Sequence, residues 1–407
     1  MSTITRRTAL KTAIATALAA PAIWPAGAQT RTVKIGVLTD QSGVYADLAG
    51  AGSVLAAQMA AEDFGGQVRG MPIEIVAADH QNRPDVGLNI ARTWFDREGV
   101  SMICDIPGSA IALGVAELAR DKNKVFVASS AATSDLTGRA CTPNTVHWTF
   151  DNWSLANGTG RAVVESGGQS WFFITADYAF GHDLEAQVAA VVRGAGGQVL
   201  GSARHPLGNA DFSSYLLQAQ RSRAAVIGLA NGGGDTINTI KQAAEFGIVQ
   251  RGQKLVGLLI ALTDIHALGL AAAQGLQFTE AFYWNLNAET RAWSLRFAPR
   301  RANRMPTQGQ AGVYGGVLHY LKGVREAAGA DDGAAVVRAM KALPTEDPLF
   351  GRGTIRADGR KLHDIYLFEA KTPAESREPW DYYKIVRTIP AASAFRPIAE
   401  GNCAIAR

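Results

Sequence analysis

Val33-Lys34-Ile35-Gly36-Val37-Leu38, followed after Thr39 by Asp40-Gln41-Ser42-Gly43, sets the reading of the whole chain. The first six residues are rich in β-branched side chains and run into a polar, glycine-containing loop, the pattern of a strand and its turn. A helical pattern follows, with Leu48, Leu55 and Met59 near one face. Ile73-Glu74-Ile75-Val76-Ala77-Ala78 reads as the next strand. Pro84 is placed to open a helix, in which Val86, Ile90 and Trp94 recur at a spacing of four. A strand over 100–106, a helix over 109–121 and a strand over 124–129 continue the rhythm. Strand alternating with helix in this way predicts βαβ units and a parallel sheet.

After about residue 150 the pattern restarts. Ser170-Trp171-Phe172-Phe173-Ile174-Thr175 is a strand, and a helix covers 181–195. Strand 197–203, helix 211–222, strand 224–229, helix 235–246 and strand 254–260 follow, with Gly247 as a natural stop for the last of those helices. The chain thus holds two successive α/β units of similar size. The last third breaks the rhythm: helices over 289–303, 309–328 and 333–342, then strands over 365–369 and 382–386 joined by a long connection containing Pro373 and Pro379. One α/β unit, then another, then helices and a hairpin imply several crossings between the units and a hinge of several strands.

The N-terminus reads as an export leader. Arg6-Arg7 precedes an alanine-rich apolar stretch and then Ala26-Gly27-Ala28, a small-x-small cleavage site. The paired arginines favour the bacterial twin-arginine route. Residues 1–28 are therefore expected to be removed and the mature protein to be periplasmic. A retained anchor is the competing reading. Against it, Pro21 and Pro25 interrupt a stretch shorter than the ~20 residues of a spanning helix. Removing Arg6, Arg7 and Lys11 takes the formal charge of the 407-residue chain from +4 to +1. A nearly neutral mature chain without a lysine/arginine run argues against nucleic acid as a partner. Its length exceeds what one hydrophobic core usually supports, which implies two domains.

An exported chain is permitted disulfides. Cys141 and Cys403 lie in polar, loop-like surroundings, whereas Cys104 lies in the apolar run Met102-Ile103-Cys104-Asp105-Ile106. A Cys141–Cys403 bridge tying down the C-terminal tail is the expected pairing, although spacing alone does not establish connectivity. No Cys/His spacing resembles a zinc site, and no metal is expected.

In open parallel sheets ligands lie beyond the carboxyl ends of the strands, so three turns are singled out. Pro107-Gly108-Ser109-Ala110 leads straight into a helix, whose unpaired N–H groups suit a carboxylate; an ordinary capping serine is the plainer reading. Ser129-Ser130-Ala131-Ala132-Thr133-Ser134 offers small residues for close backbone approach and hydroxyls to donate; a polar loop is the plainer reading. Because both turns follow neighbouring strands, together they form a candidate anion cradle. Ala230-Asn231-Gly232-Gly233-Gly234-Asp235-Thr236 lacks both G-K-[ST] and a clean G-x-G-x-x-G, so contact of Asn231 or Asp235 with a small polar ligand is preferred over phosphate binding. Rings cluster near the expected crossovers: Tyr45, His147, Trp148, Phe150, Trp153, Tyr178, Phe180, Phe282, Tyr283 and Trp284. Such rings wall small-molecule pockets or pack beneath a hinge. There is no G-x-S-x-G elbow and no H-E-x-x-H, and enzymatic activity is not expected.

These residues, in this order, resemble the periplasmic solute-binding proteins of branched-chain amino-acid-type ABC importers, the leucine/isoleucine/valine-binding family. The resemblance runs from about Val33 to the C-terminus. It rests on Lys34-Ile35-Gly36-Val37-Leu38 with Ser42-Gly43 and Tyr45, on Ser130-Ala131-Ala132-Thr133, and on Asp177-Tyr178-Ala179-Phe180-Gly181. Asp211-Phe212-Ser213 and Gln242-Ala243-Ala244-Glu245-Phe246-Gly247 continue it. No single motif decides the matter. The resemblance implies an α/β type I periplasmic binding protein: two doubly wound parallel-sheet lobes joined by a three-strand hinge. The expected lobes are 31–148 with 283–362 and 149–282 with 363–390, followed by a tail, 391–407. It implies no catalysis, no cofactor, lobe closure over a small-molecule ligand, and a membrane permease as partner; a monomer is expected. By matching position, Gly108, Ser109, Ala131 and Thr133 would hold a ligand carboxylate. Tyr45 and Phe180 would line the pocket, and Asn231 falls in the contact turn of the second lobe; Tyr178, from the ring cluster, is a further ligand-binding candidate.

One departure bears on the ligand. Leucine-type members place a glutamate for the ligand ammonium after the strand matching 254–258, where this chain reads Leu258-Leu259-Ile260-Ala261-Leu262. A buried ammonium needs a partner. The sequence therefore favours a carboxylate without an amine (an aromatic, hydroxy or keto acid) unless Asp235 supplies the missing charge for an amino acid. An amide- or urea-binding sensor of the same fold and, more remotely, a secreted hydrolase are the alternatives.

Overall fold

The computed structural model describes residues 31–406; the expected leader and Arg407 lie outside the described residues. Ten strands build two parallel sheets, with one short antiparallel strand at an edge. The first comprises β1 (Val33–Thr39), β2 (Gln67–Val68), β3 (Met71–Asp79), β4 (Val100–Asp105), β5 (Val125–Ala128) and β6 (Thr145–His147), in the order β2-β3-β1-β4-β5-β6. All pairs are parallel except β2–β3. The second comprises β7 (Ser170–Ala176), β8 (Gln198–His205), β9 (Val226–Ala230) and β10 (Lys254–Gly257), all parallel, in the order β10-β9-β7-β8.

Both sheets are doubly wound. From β1 the chain builds outward to β3 and then returns to the other side of β1 for β4. From β7 it builds to β8 and returns to the other side of β7 for β9. Each reversal leaves a crevice at the carboxyl ends of the two diverging strands, where open α/β sheets bind ligands. In the first lobe that crevice lies between the turns after β1 and β4. In the second it lies between the turns after β7 and β9.

Local chemistry explains the elements. Every residue of β1 except Lys34 is buried, and Gly36 lets the Trp94 indole lie on the strand: a Cβ there would sit 2.4 Å from the ring. Trp94 belongs to the helix Pro84–Asp96, which proline opens as expected. The late helix Gln308–Glu326 packs on the early helix Gly50–Asp63, and the amide of Gln310 bonds the Asp47 and Ala49 carbonyls at 3.2 and 3.0 Å.

Several small features escaped the sequence reading, the three-residue strand β6 among them. β2 has two residues. β11 (Gln277–Glu280) joins the antiparallel ribbon completed by β15 (Ile365–Ala370) and β16 (Tyr383–Ile389). Between them β12 (Thr345–Asp347), β13 (Gly351–Ile355) and β14 (Lys361–Leu362) form a second small antiparallel sheet. The expected strand 254–260 stops at Gly257, because Leu258–Ala261 turns into the helix Leu262–Leu268. After β11 the chain returns to the first half, where the helix Gln308–Glu326 packs on Gly50–Asp63, and β15 and β16 then pair alongside β11, so the chain crosses between the halves more than once. Among the described residues no helix is long and apolar enough to cross a membrane.

Candidate functional site

The first-lobe wall begins with backbone strain. Asp105 and Ile106, at the end of β4, have φ of 80° and 58°, a region costly for residues with a Cβ. This kink turns the chain so that Gly108, extended, caps the helix Ser109–Asp121 without a side-chain bond. Ser109 is fully buried and its Oγ has no hydrogen-bond partner among the described residues. A buried polar group left in this way costs free energy unless something bonds it. The Asp105 carboxyl accepts from Ser130 Oγ at 2.5 Å and Ser129 Oγ at 3.3 Å, and burial pushes its pKa up. Those bonds brace the turn carrying Ala131 and Thr133 against β4. The Ala131 carbonyl meets His147 Nε2 at 2.7 Å, and Thr133 Oγ1 accepts from the Asp135 amide at 3.3 Å. These bonds hold the two turns of the expected cradle side by side at the ends of β4 and β5, and Ser109 is the member without a partner among the described residues.

The second-lobe wall comes to meet it at Tyr45. The hydroxyls of Tyr45 and Tyr178 lie 2.6 Å apart. Burial raises the pKa of both, and the nearby Asp40 and Asp235 add to the shift. Leu207, from the turn after β8, and Ala261, from the turn after β10, pack against Tyr45 and Leu48. Gly234 N, after β9, donates to the Val44 carbonyl at 3.3 Å. The carboxyl ends of all four parallel strands of the second lobe thus converge on the turn after β1. Gly233 makes this possible: it has φ 57°, and a Cβ on it would lie 2.2 Å from the Val44 oxygen. Phe180 is buried, 5.8 Å from the Tyr178 ring, and its carbonyl accepts from Asn152 Nδ2 at 3.1 Å.

Asn231 and Asp235 differ in how far they are committed. Asn231 lies inside the second lobe, its Nδ2 at 3.1 Å from His205 Nε2 and 3.3 Å from Thr239 Oγ1, its Oδ1 accepting from Thr236 Oγ1 at 2.7 Å. Every polar atom of that side chain has a partner, so it braces the turn. Asp235 is 1% exposed, accepts from the Gly208 amide at 3.1 Å, and has its pKa raised to about 6 by desolvation. The segment 258–262 lacks an acid, but Asp264 follows it. Buried, with its pKa raised to about 7 by desolvation, Asp264 accepts from the Ala261 amide at 2.9 Å and so caps the next helix.

Asn82 was missed. It follows β3 with φ 51°, its Oδ1 lies 2.3 Å from where a Gly108 Cβ would be, and its Nδ2 is buried without a partner among the described residues. Its position beyond the carboxyl end of a strand was the available signal.

Several aromatic residues fall elsewhere. Phe282, Tyr283 and Trp284 are buried under the antiparallel ribbon. Tyr283 stacks on Tyr383 at 4.7 Å, and its hydroxyl and the Trp284 indole both donate to the Trp380 carbonyl. They pack beneath the hinge because their polar atoms find backbone partners there. Trp148 and Phe150 are likewise core. Cys141 and Cys403 form the expected disulfide, and Cys104 is free and buried. Among the described residues no group of three or more His, Cys, Asp or Glu is placed to hold a metal ion.

A family model described as periplasmic binding protein matches residues 32–376. The chain belongs to the periplasmic binding protein family. A periplasmic binding protein from Burkholderia mallei is 48% identical, with a TM-score of 0.89 over 92% of this chain and 99% of that one. A branched chain amino acid ABC transporter periplasmic ligand-binding protein from Burkholderia xenovorans LB400 is 40% identical, with a TM-score of 0.81 over 92% of this chain and all of that one. The Leu/Ile/Val-binding protein homolog 6 of Brucella melitensis is 26% identical over 385 residues, 92% of this chain and 95% of the relative. The type I binding-protein architecture, two lobes with parallel sheets, is thereby shared with solved relatives, and the family's members are binding components of transporters.

Proposed function

We propose that this periplasmic binding protein captures a small carboxylate for an ABC importer, without turning it over, and presents the closed form to a membrane permease. The lobes are residues 31–148 with 283–362 and 149–282 with 363–390. The observation that carries the reading is the buried, unpartnered Ser109 hydroxyl at an uncapped helix N-terminus in the first-lobe crevice. Amide hydrogens and a hydroxyl gathered there are suited to a carboxylate.

Tyr45, Tyr178 and Phe180 are the rings that would enclose the body of the ligand. Asp235 supplies an acceptor for its far end, so the ligand carries a donor there: a hydroxyl, as in a hydroxy acid or a hydroxylated aromatic acid, or an ammonium. The Burkholderia xenovorans relative is named for branched chain amino acids, which fits the ammonium version. Binding energy spent across the crevice shifts the open–closed equilibrium toward closure.

Thermal-shift screening of amino acids, hydroxy acids, keto acids and aromatic acids tests this, since a ligand of the native form alone raises the unfolding midpoint. Stabilisation by a donor-bearing carboxylate is expected. A response confined to neutral amides would replace this reading with the amide sensor, and silence across the panel would overturn it.

A further inference from the structure

A groove of about 500 Å³ lies outside the interlobe cleft, between the second-lobe segment Asn152–Glu165 and the start of the tail. One wall carries Trp153, Asn157 and Arg161; the other carries Arg387, Phe395 and Pro397. A neighbouring hollow of about 550 Å³ shares Trp153, Asn157 and Arg161. Such volumes match those of small-molecule sites.

The walls are built rather than incidental. Residues Ala156–Gly160 form a π-helical turn, a distortion found often where a helix serves a function. It places Asn157 so that its Nδ2 donates to the Ser393 carbonyl at 2.8 Å while its Oδ1 accepts from Arg161 Nε at 3.0 Å. The tail wall is held to the first lobe by the Cys141–Cys403 disulfide and by Arg396, which donates to the Ser134 carbonyl at 2.8 Å. Phe395 is fixed under the Arg360 guanidinium, 4.4 Å from its ring.

Charge gives the groove its chemistry. Arg387 pairs with Glu165 at 3.3 Å. Arg161 has no carboxylate partner among the described residues and is exposed. Arg161 and Arg387 both line the groove itself, beside a partly exposed indole, while the carboxylates Glu165 and Glu400 line the adjoining hollow. We propose that the groove is a second binding site, separate from the cleft, for a small amphiphilic organic anion. Its carboxylate or sulfonate would pair with Arg161, and its apolar body would lie against Trp153. The backbone N–H of Trp153 donates to Ser134 Oγ at 3.1 Å, so the site adjoins the loop that carries Thr133.

The test uses 1-anilinonaphthalene-8-sulfonate as probe, titrated into the full mature chain and followed by fluorescence. Saturable binding is expected, weakened about tenfold or more by Arg161→Ala, the scale of a lost hydrogen bond to a charged group. Ser109→Ala, in the cleft, should change it by less than about twofold, as for independent sites. If Arg161→Ala lowers the thermal midpoint, Arg161→Gln must show the same loss with the midpoint intact. Absence of saturable binding, unchanged affinity in the Arg161 variants, or loss caused by Ser109→Ala would each overturn the proposal. Because the cleft is assayed separately with the acids of the thermal-shift panel, failure here leaves the cleft reading standing.

Discussion

Gly233→Ala is the substitution that most directly tests whether the lobe contact belongs to the ligand-bound form. The change acts in two ways that can be separated. The first is backbone strain: Gly233 has φ 57° and ψ −133°, a conformation nearly confined to glycine, costing about 1–3 kcal/mol for a residue with a Cβ. That cost falls on the folded protein whether the lobes are open or closed. The second is steric and belongs to closure alone. The new Cβ would lie 2.2 Å from the Val44 oxygen across the cleft, so the lobes must stand off by about 1 Å to reach van der Waals contact. Overpacking of this kind costs about 1–3 kcal/mol, which converts to roughly a 5- to 150-fold loss of ligand affinity if binding requires the closed form. Gly65→Ala is the control, since Gly65 has φ 99° and nothing within 4 Å of its would-be Cβ. Calorimetric titration with the best acid from the thermal-shift panel, beside thermal unfolding, reads both effects. Both variants should unfold earlier, and only Gly233→Ala should bind more weakly. Parental affinity in Gly233→Ala would refute the reasoning, because the contact would then lie outside the ligand-bound state.

Ser109→Ala should weaken ligand binding by about 10- to 100-fold, the worth of a hydrogen bond to a charged group, with little loss of stability because the hydroxyl bonds nothing among the described residues; titration and a melt on the same sample check it. Asp235 has a pKa of about 6 in the fold, above its unfolded value, so folding disfavours its charged form. Its contribution to stability is greatest below about pH 4 and is lost as pH rises through 6. Asp235→Asn should remove that slope, and an amine-bearing ligand should bind the parent protein more tightly as pH rises from 5 to 7; a flat affinity profile would count against an ammonium at Asp235. His80 shows the opposite sign: desolvation depresses its pKa to about 4, so stability present above pH 6.5 is lost as pH falls toward 4, by about 2 kcal/mol at pH 5. His80→Gln should flatten that limb in denaturant titrations, and an unchanged slope would refute it. Reduction of Cys141–Cys403, which closes a loop with a sequence separation of 262, should destabilise the protein by up to about 5 kcal/mol; an equal midpoint with and without reductant would contradict this.

Much of the architecture was legible because it rests on local, repeating signals. β1, β3 and β4 announce themselves by β-branched runs ending in polar turns, and the helix Pro84–Asp96 by its proline and the spacing of Val86, Ile90 and Trp94. The disulfide was legible because two cysteines sat in polar loops and the third in an apolar strand. The short antiparallel strands β12, β13 and β14 were not, since a strand of two to five residues held by cross-strand partners carries little period of its own.

The sequence by itself determined the doubly wound lobes and which turns lie at the carboxyl ends of their strands, because the order of strands and helices dictates where those ends gather. It also named Ser109, Tyr45, Tyr178 and Asp235 as candidates by residue type and position. Only the tertiary structure decided how each is used. Asn231 is consumed by His205, Thr236 and Thr239, and Phe282, Tyr283 and Trp284 are buried beneath the ribbon, while Ser109 keeps a hydroxyl without a partner among the described residues. Asn82 comes beside Gly108 only because the turn after β3 folds against it. The physical reason is that the availability of a polar atom depends on neighbours far away in the chain, and no spacing of residues records which of them will satisfy it.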